Sequence, residues 1–428
     1  MPQRHRPRTP AAPDPAVGTE IELELTGVAH GGVMVARHEG RVVFVADGIP
    51  GERVRARVTA AKKSFWRADV VEVLRPSPHR REHVWPEASV DRDPAERAGG
   101  AEFGHIALAH QRELKRQVVA DALARFAHLE REVMVQALPG DDEGNGIGWR
   151  TRVRLHVSAD GAVGPYSARS HTVVPVRSLP LAAPAIAEAA PLGARLSDAA
   201  SVDLIAPSTG GAISLVTGRD GRGPRREPIV ERVGEREFRL PADGFWQVHR
   251  LAAQTLTDAV RRAVDPDRVD PAADNLDLYG GVGLLAAAFG DAFGRSTRIT
   301  SVESNPEATE FAGRNLADWV GARAETGRVE QWLRGRAARA TAAERARQRA
   351  ATVVLDPPRA GAGKAVVDEL LALAPAQLVY VACDPVAFAR DAALFAAGGY
   401  EVRALEAFDL FPHTHHLELV ASLTPAHA

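Results

Sequence analysis

The alternation of apolar and polar residues changes several times along the chain, and each change marks a part. From Gly18 to Leu74 short runs alternate: I-E-L-E-L (21–25), R-V-V-F-V (41–45), R-V-R-A-R-V (53–58) and A-D-V-V-E-V-L (68–74). Alternation with period two predicts half-buried strands. The turn signals His30-Gly31-Gly32 and Asp47-Gly48-Ile49-Pro50-Gly51 separate them, so a small antiparallel barrel is expected over 17–76. Between Ile106 and Ala127 apolar residues recur at 106, 108, 114, 118, 119, 122, 123 and 126, which predicts a helix. Strand alternation returns in W-R-T-R-V-R-L-H-V (149–157). It sends Arg150, Arg152 and Arg154 to one face and Thr151, Val153 and Leu155 to the other. Further on, N-L-D-L-Y-G-G-V-G-L-L-A-A-A-F-G (275–290) reads as strand, glycine loop and helix. V-V-L-D-P-P-R-A-G (353–361) and V-Y-V-A-C-D-P (379–385) are β-branched runs that stop at polar residues, as buried parallel strands do.

Composition narrows the picture. A chain of 428 residues with 45% hydrophobic and 25% charged side chains should form two or three ordinary globular domains. A net charge of −2 offers no global field for nucleic acid, so any RNA surface must be local. Neither a long apolar run nor a leader pattern is evident, and a cytoplasmic protein without membrane contact is expected. The single cysteine excludes an internal disulfide and cannot hold an iron–sulfur cluster. Residues 1–16, with five prolines and three arginines, are expected to be a disordered tail.

Candidate chemistry gathers near the C-terminus. Asp356, Cys383 and Glu418 should lie along one edge of one sheet, a thiol nucleophile with carboxylates for acid–base work. A metal site from His413, His415, His416 and Glu418 is disfavoured, because 415, 416 and 418 would alternate faces of a strand. Upstream, Gly281 and Gly283 would allow close backbone approach, and Glu303, ending I-T-S-V-E, could bind ribose hydroxyls. That loop suits a dinucleotide as well as an S-adenosyl ligand, and the D-P-P strand end favours the latter. Basic residues occur in three groups. Arg53, Arg55 and Arg57 share a strand face, with Lys62, Lys63, Phe65, Trp66 and Arg67 in the next turn, a candidate RNA surface. The Arg150–Arg154 row is a candidate for phosphate contacts or, equally, a plain surface face. The arginine-rich helix from Arg334 to Arg349 reads as a solvated face.

Two resemblances rest on these motifs. A-H-G-G-V-M-V-A-R (29–37), V-V-F-V-A-D-G-I-P-G-E-R-V (42–54) and R-P-S-P-H-R (75–80) resemble a TRAM domain, an oligonucleotide-binding-like barrel attached to RNA-modifying enzymes. G-F-W-Q-V-H (244–249), D-L-Y-G-G-V-G (277–283), V-E-S-N-P-E-A (302–308), L-D-P-P-R-A-G (355–361), Y-V-A-C-D-P (380–385) and D-L-F-P-H-T-H-H-L-E (409–418) resemble the RNA uracil-5-methyltransferases, which use S-adenosylmethionine. The second resemblance implies a class I methyltransferase domain, a Rossmann-like doubly wound sheet, over 244–428. A β-rich middle domain would take 77–105 and 145–243, and the helix segment 106–144 would dock on the catalytic domain. The resemblance further implies Cys383 as nucleophile and Glu418 as base. Gln247, Tyr279, Gly281, Gly283, Glu303 and Asp356 would line the cofactor and uracil pocket. A monomer acting on structured RNA is expected, ribosomal RNA before tRNA because the barrel is present. The chain departs from the family where Asp384 follows the nucleophile in place of Asn, and where Leu284 replaces Asn. Two alternatives stay open: an exocyclic-amine methyltransferase using the D-P-P-R strand, and an inactive RNA-binding module.

Overall fold

The computed structural model describes residues 15–168, 170–224 and 227–426, so the tail expected over 1–16 lies almost wholly outside the described residues. The first unit is a barrel of β1 (Glu20–Glu24), β2 (Gly27–Val28), β3 (Met34–His38), β4 (Arg41–Ala46), β5 (Arg53–Ala61) and β6 (Phe65–Arg75). Its strand order is β1-β5-β6-β4-β3-β2. The alternation does what period two dictates: Val54, Ala56 and Val58 fill the core and the arginines between them face outward. One expectation is corrected. The barrel is not wholly antiparallel, since β4 runs parallel to β6, Val42 opposite Phe65 and Ala46 opposite Asp69. β5 crosses to pair with β1, and the β5–β6 hairpin then brings β6 back beside β4 in the same direction. Phe65, Trp66 and Arg67 therefore open a strand instead of lying in a turn.

The helix α1 (Leu108–Ala122) continues through one wider turn to Ala127 and stops where His128 turns left-handed. Its two ends serve two cores. Leu114, with Ile106 just before the helix, packs into the barrel, whereas Val119, Ala122 and Leu123 join a core of the C-terminal sheet. After β7 (Val135–Gln136) come β8 (Arg152–Val157), β9 (Val163–Gly164), the helix α2 (Pro184–Ala189), β10 (Ala199–Ile205) and β11 (Ile213–Gly218). The four strands from β8 to β11 form a sheet ordered β11-β10-β8-β9 over Trp85, Trp149, Leu155 and Val202. The hairpin β12 (Pro228–Val233) and β13 (Arg236–Pro241) stands apart from this sheet. Its Ile229, Val233, Phe238 and Leu240 share a core with the C-terminal helices, upstream of the division expected at 243.

The C-terminal unit comprises α3 (Ala252–Ala263), β14 (Asn275–Leu278), α4 (Leu284–Phe293), β15 (Ile299–Glu303), α5 (Pro306–Asn315), β16 (Ala322–Thr326), α6 (Val329–Arg339), α7 (Ala342–Arg349), β17 (Thr352–Leu355), α8 (Gly363–Leu373), β18 (Gln377–Ala382), α9 (Pro385–Ala397), β19 (Tyr400–Phe408) and β20 (Glu418–Pro425). Its sheet is ordered β16-β15-β14-β17-β18-β20-β19-β7, with β20 antiparallel to both of its neighbours. The apolar runs feed a core on each face. Val354, Val379 and Val381 meet α3 and α4, while Val353, Leu355 and Tyr380 meet α8 and α9. This is the doubly wound class I methyltransferase architecture. Each such side chain fully withdrawn from water contributes about 1.5–3 kcal/mol, so a polar substitution at Val354 or Leu355 would be severe. The arginine-rich helix expected from 334 to 349 is in fact two, because Thr341 closes a capping box with Glu344 and starts α7. Three of its arginines are answered by acids: Arg334 by Glu330 and Glu369, Arg336 and Arg347 by Asp274. Among the described residues no helix is long and apolar enough to cross a membrane.

Candidate active site

Parallel strands deliver polar groups at their C-terminal ends. Tyr279 follows β14, Glu303 ends β15, Asp356 follows β17 and Cys383 follows β18. β20 runs the other way, so its first residue, Glu418, reaches the same edge. Its register pairs Ala382 with Leu419, which puts Cys383 and Glu418 at opposite positions just beyond the last pair. All of these residues, with Gly281 and Gln247, line one cleft of about 940 Å³, large enough for a nucleoside-sized cofactor beside a base. Gly283 does not line it. That glycine, at φ +91°, caps the N-terminus of α4 and faces Leu316, where a Cβ would come within 3.1 Å.

One end of the cleft suits a ribose. The Glu303 carboxylate accepts from the backbone N–H of Asn305 at 2.7 Å, from that of Gly281 at 3.3 Å and from the Ser304 hydroxyl at 3.0 Å. An ionised carboxylate has about four acceptor sites, so capacity remains for a ligand hydroxyl. Above Gly281 (φ +54°) a Cβ would meet nothing, leaving room for close backbone approach. Tyr279 also takes a left-handed backbone, φ +62°, a strained conformation for an aromatic residue.

The other end holds the thiol and its carboxylates. Glu418 is 4% exposed, and burial, then the nearby Asp356 charge, raises it well above the ordinary carboxylate range. Asp356 is raised to about 7, by burial first and by Asp277 second. Burial, then the charges of Glu418 and Asp356, pushes the Cys383 thiol up to about 12, with Arg359 pulling the other way.

The turn before Glu418 is held from outside the C-terminal unit. Lys115 on α1 donates to Asp409 Oδ1 at 2.5 Å and to the Phe411 carbonyl at 3.1 Å. Gln111, one helical turn earlier, donates to His413 Nδ1 at 3.0 Å and accepts from the His413 backbone N–H at 2.7 Å. His413 then gives its Nε2 proton to the Asn145 carbonyl at 2.8 Å. Burial lowers its pKa, in keeping with this neutral tautomer. Residues 413–416 form a turn ahead of β20, so the strand expected there is corrected. Among the described residues no group of three His, Cys, Asp or Glu side chains is placed to hold a metal ion.

The arginine row is corrected as well. Arg152 donates to the carbonyls of Ala242 and Gly244 at 3.0 and 2.7 Å, pinning the G-F-W-Q-V-H segment. Arg154 makes a two-pronged contact with Asp203 at 2.6 and 3.0 Å. Arg150 alone of the row reaches the cleft, from just before β8. Sequence reasoning also missed Phe245, which is 76% exposed on the cleft wall, and Asn305, which caps α5 there. Their signals were available: an aromatic inside G-F-W-Q-V-H, and an N-P step at a helix start.

The chain matches the family model "TRAM domain" over residues 16–71 and the model "tRNA (Uracil-5-)-methyltransferase" over 233–424. A protein of Streptomyces avermitilis named as an uncharacterized RNA methyltransferase is 41% identical, the alignment covering 96% of this chain and 99% of that one. One from Streptomyces coelicolor is 40% identical over 96% and 94%. The chain belongs to the RNA uracil-5-methyltransferase family. Among solved structures, a Pyrococcus abyssi tRNA (uracil-54, C5)-methyltransferase in complex with S-adenosyl-L-homocysteine superposes with a TM-score of 0.70. That match covers 94% of this chain and all of that one at 21% identity, a likeness of fold.

For an RNA uracil-5-methyltransferase the carboxylate beside Cys383 is an oddity, and the geometry accounts for it. Asp384 Oδ1 accepts from the backbone N–H groups of Val386 and Ala387 at 3.0 and 2.9 Å and so caps α9. Its Oδ2 lies 2.7 Å from His30 Nε2, on a turn of the barrel. Leu284, the other departure, is buried in the core of the sheet as the first residue of α4.

Proposed function

We propose that this enzyme forms 5-methyluridine in structured RNA, ribosomal RNA before transfer RNA, with Cys383 as covalent nucleophile and Glu418 as base. The observation that carries the reading is the placement of a thiol and a buried carboxylate opposite each other in one cleft. Glu303 and the open backbone at Gly281 fit S-adenosylmethionine at the far end of that cleft. The cofactor, when bound, supplies an electrophilic methyl group on a sulfonium centre.

Carbon 5 of uracil is a poor nucleophile. When Cys383, having lost its proton, adds as the thiolate to carbon 6, the ring electrons move onto the carbon-4 oxygen and carbon 5 gains enolate character. Once carbon 5 carries the methyl group, its remaining proton must go. Glu418 takes it, the carbon 5–carbon 6 double bond re-forms and the sulfur leaves. The raised affinity of Glu418 for a proton suits that step. Extruding the target base costs a few kcal/mol, which Phe245 as a stacking face and the barrel's grip on RNA would offset.

The barrel supports a preference for a large folded RNA. Arg41 sits 4.7 Å over the ring of Trp66, and Lys62 and Arg67 lie 5.4 and 5.7 Å from that of Phe65, cations set beside aromatics. The enzyme is expected to act as a monomer. Purified protein given labelled S-adenosylmethionine with unmodified ribosomal RNA or tRNA, followed by nucleoside mass spectrometry, tests the reading. 5-Methyluridine from ribosomal RNA is the expected product, and the same product from tRNA alone would reverse the substrate preference. An N-methylated nucleoside would favour amine chemistry at the D-P-P-R strand end, and no product would favour a binding module.

A further inference from the structure

The turn joining β2 to β3 carries His30, Gly31 and Gly32, and it reaches across to the edge where Cys383 stands. His30 Nε2 lies 2.7 Å from Asp384 Oδ2, so the two oxygens of that carboxylate are divided between the barrel and the first turn of α9. Two residues on, Gly32 sits against the turn that precedes Glu418. A Cβ there would fall 2.4 Å from the His415 Cβ and 3.1 Å from the Phe103 ring. The barrel therefore touches the residue after the thiol and a residue three before the carboxylate. A small cavity of about 120 Å³ lies between them, walled by His30, Gly32, Cys383, Asp384 and His415.

We propose that this barrel turn is part of the catalytic assembly: His30 on Asp384 and Gly32 on His415 set the position of the Cys383 loop and cancel the carboxylate charge beside the thiol. His30 and Gly32 are then positioning residues, and the barrel is more than a handle for RNA. The proposal rests on Cys383 being the nucleophile. A bare carboxylate one residue from a thiol opposes its ionisation. The hydrogen bond to Asp384 raises the His30 pKa, and the same bond, working against partial burial, helps hold Asp384 low, so each partner favours the other's charged form. The other charged groups around it are Arg390 on α9 for His30, and Glu418, Asp356 and Arg359 for Cys383. Of these only His30 comes from the barrel.

The single cysteine makes the test clean. In the full chain, iodoacetamide alkylation of Cys383 is followed by mass spectrometry against pH, alongside kcat and KM for RNA. His30→Ala should raise the midpoint of alkylation by roughly half a pH unit. It should also lower kcat about tenfold while KM moves less than about threefold. Adding Asp384→Asn to His30→Ala should return the midpoint toward that of the wild type, and His30→Gln, which keeps a neutral donor, should recover most of kcat. Gly32→Ala should lower kcat by breaking the docking without removing a charge. Wild-type midpoints and kcat in both His30→Ala and Gly32→Ala would overturn the proposal, as would a loss confined to KM. Failure of the wild-type protein to make 5-methyluridine would sink the nucleophile reading instead, and the alkylation midpoints would still decide whether His30 offsets Asp384.

Discussion

Two carboxylates flank the thiol, and they could hardly be held more differently. Glu418 lies buried at the start of β20 and is raised well above its ordinary range. Asp384, on the other side, caps a helix with one oxygen and meets His30 with the other, and is held low. Hydrogen bonds to the ionised form make a carboxylate a poor base, and their absence in a buried place makes it a good one. Composition alone would call both residues acids near a cysteine. On the proposed mechanism their surroundings suit one to proton transfer and the other to architecture.

The contrast can be broken at its centre first. Cys383→Ser removes the group that both carboxylates flank and should cost at least about a thousandfold in methyl transfer, because a hydroxyl stays un-ionised at neutral pH. Cofactor affinity, measured by calorimetry, should stay near wild type. Retained activity would move the chemistry to an exocyclic amine. The pH profile is the next largest effect. Both groups act deprotonated and both are pushed upward, the thiol to about 12. Single-turnover rates should therefore climb through neutral pH toward the alkaline side, by up to about tenfold per unit for each group that must lose its proton, with no acid optimum.

The same contrast of answered against free charge recurs on the barrel. Arg53, Arg55 and Arg57, expected to form an RNA surface, are met by Glu22, Glu72, Glu20 and Asp93. Among the described residues Lys62 and Arg67 face aromatic rings, with no carboxylate answering them. The double substitution Lys62→Ala/Arg67→Ala should weaken RNA binding about tenfold and flatten its salt dependence, whereas Arg53→Ala/Arg55→Ala should change binding by less than about twofold. Filter binding across a salt series distinguishes the two pairs. The smallest effect belongs to Asp384→Asn. Asparagine can still cap α9 and bond to neutral His30, so activity should stay within about threefold of wild type. A larger loss would make Asp384 a proton carrier and erase the contrast.

Much of the candidate site's edge was legible, for a definite reason. V-V-L and V-Y-V-A are apolar on both faces and end abruptly, so Asp356 and Cys383 had to stand at strand ends. What could not be read depends on partners far away in the chain. His30 meets Asp384 across 354 residues, and Lys115 meets Asp409 across 294. A histidine in a turn and a lysine on a helix carry no local mark of such partners. The arginine rows misled because alternation tells which face a side chain takes, not whether an acid waits there. The parallel β4–β6 pair was missed because strand order comes from how hairpins fold over one another, which no single run of residues encodes.

The account stands or falls on whether Glu418 ends the reaction by taking the carbon-5 proton. Glu418→Gln keeps the size of the side chain and removes its basicity. Sulfur addition and methylation should proceed, and elimination should then stall. Labelled RNA incubated with this variant and S-adenosylmethionine, run on a denaturing gel, should show a slow protein–RNA band that carries the methyl label and is absent from the Cys383→Ser protein. Free methylated RNA released at near the wild-type rate would contradict the account and pass the role of base to another group.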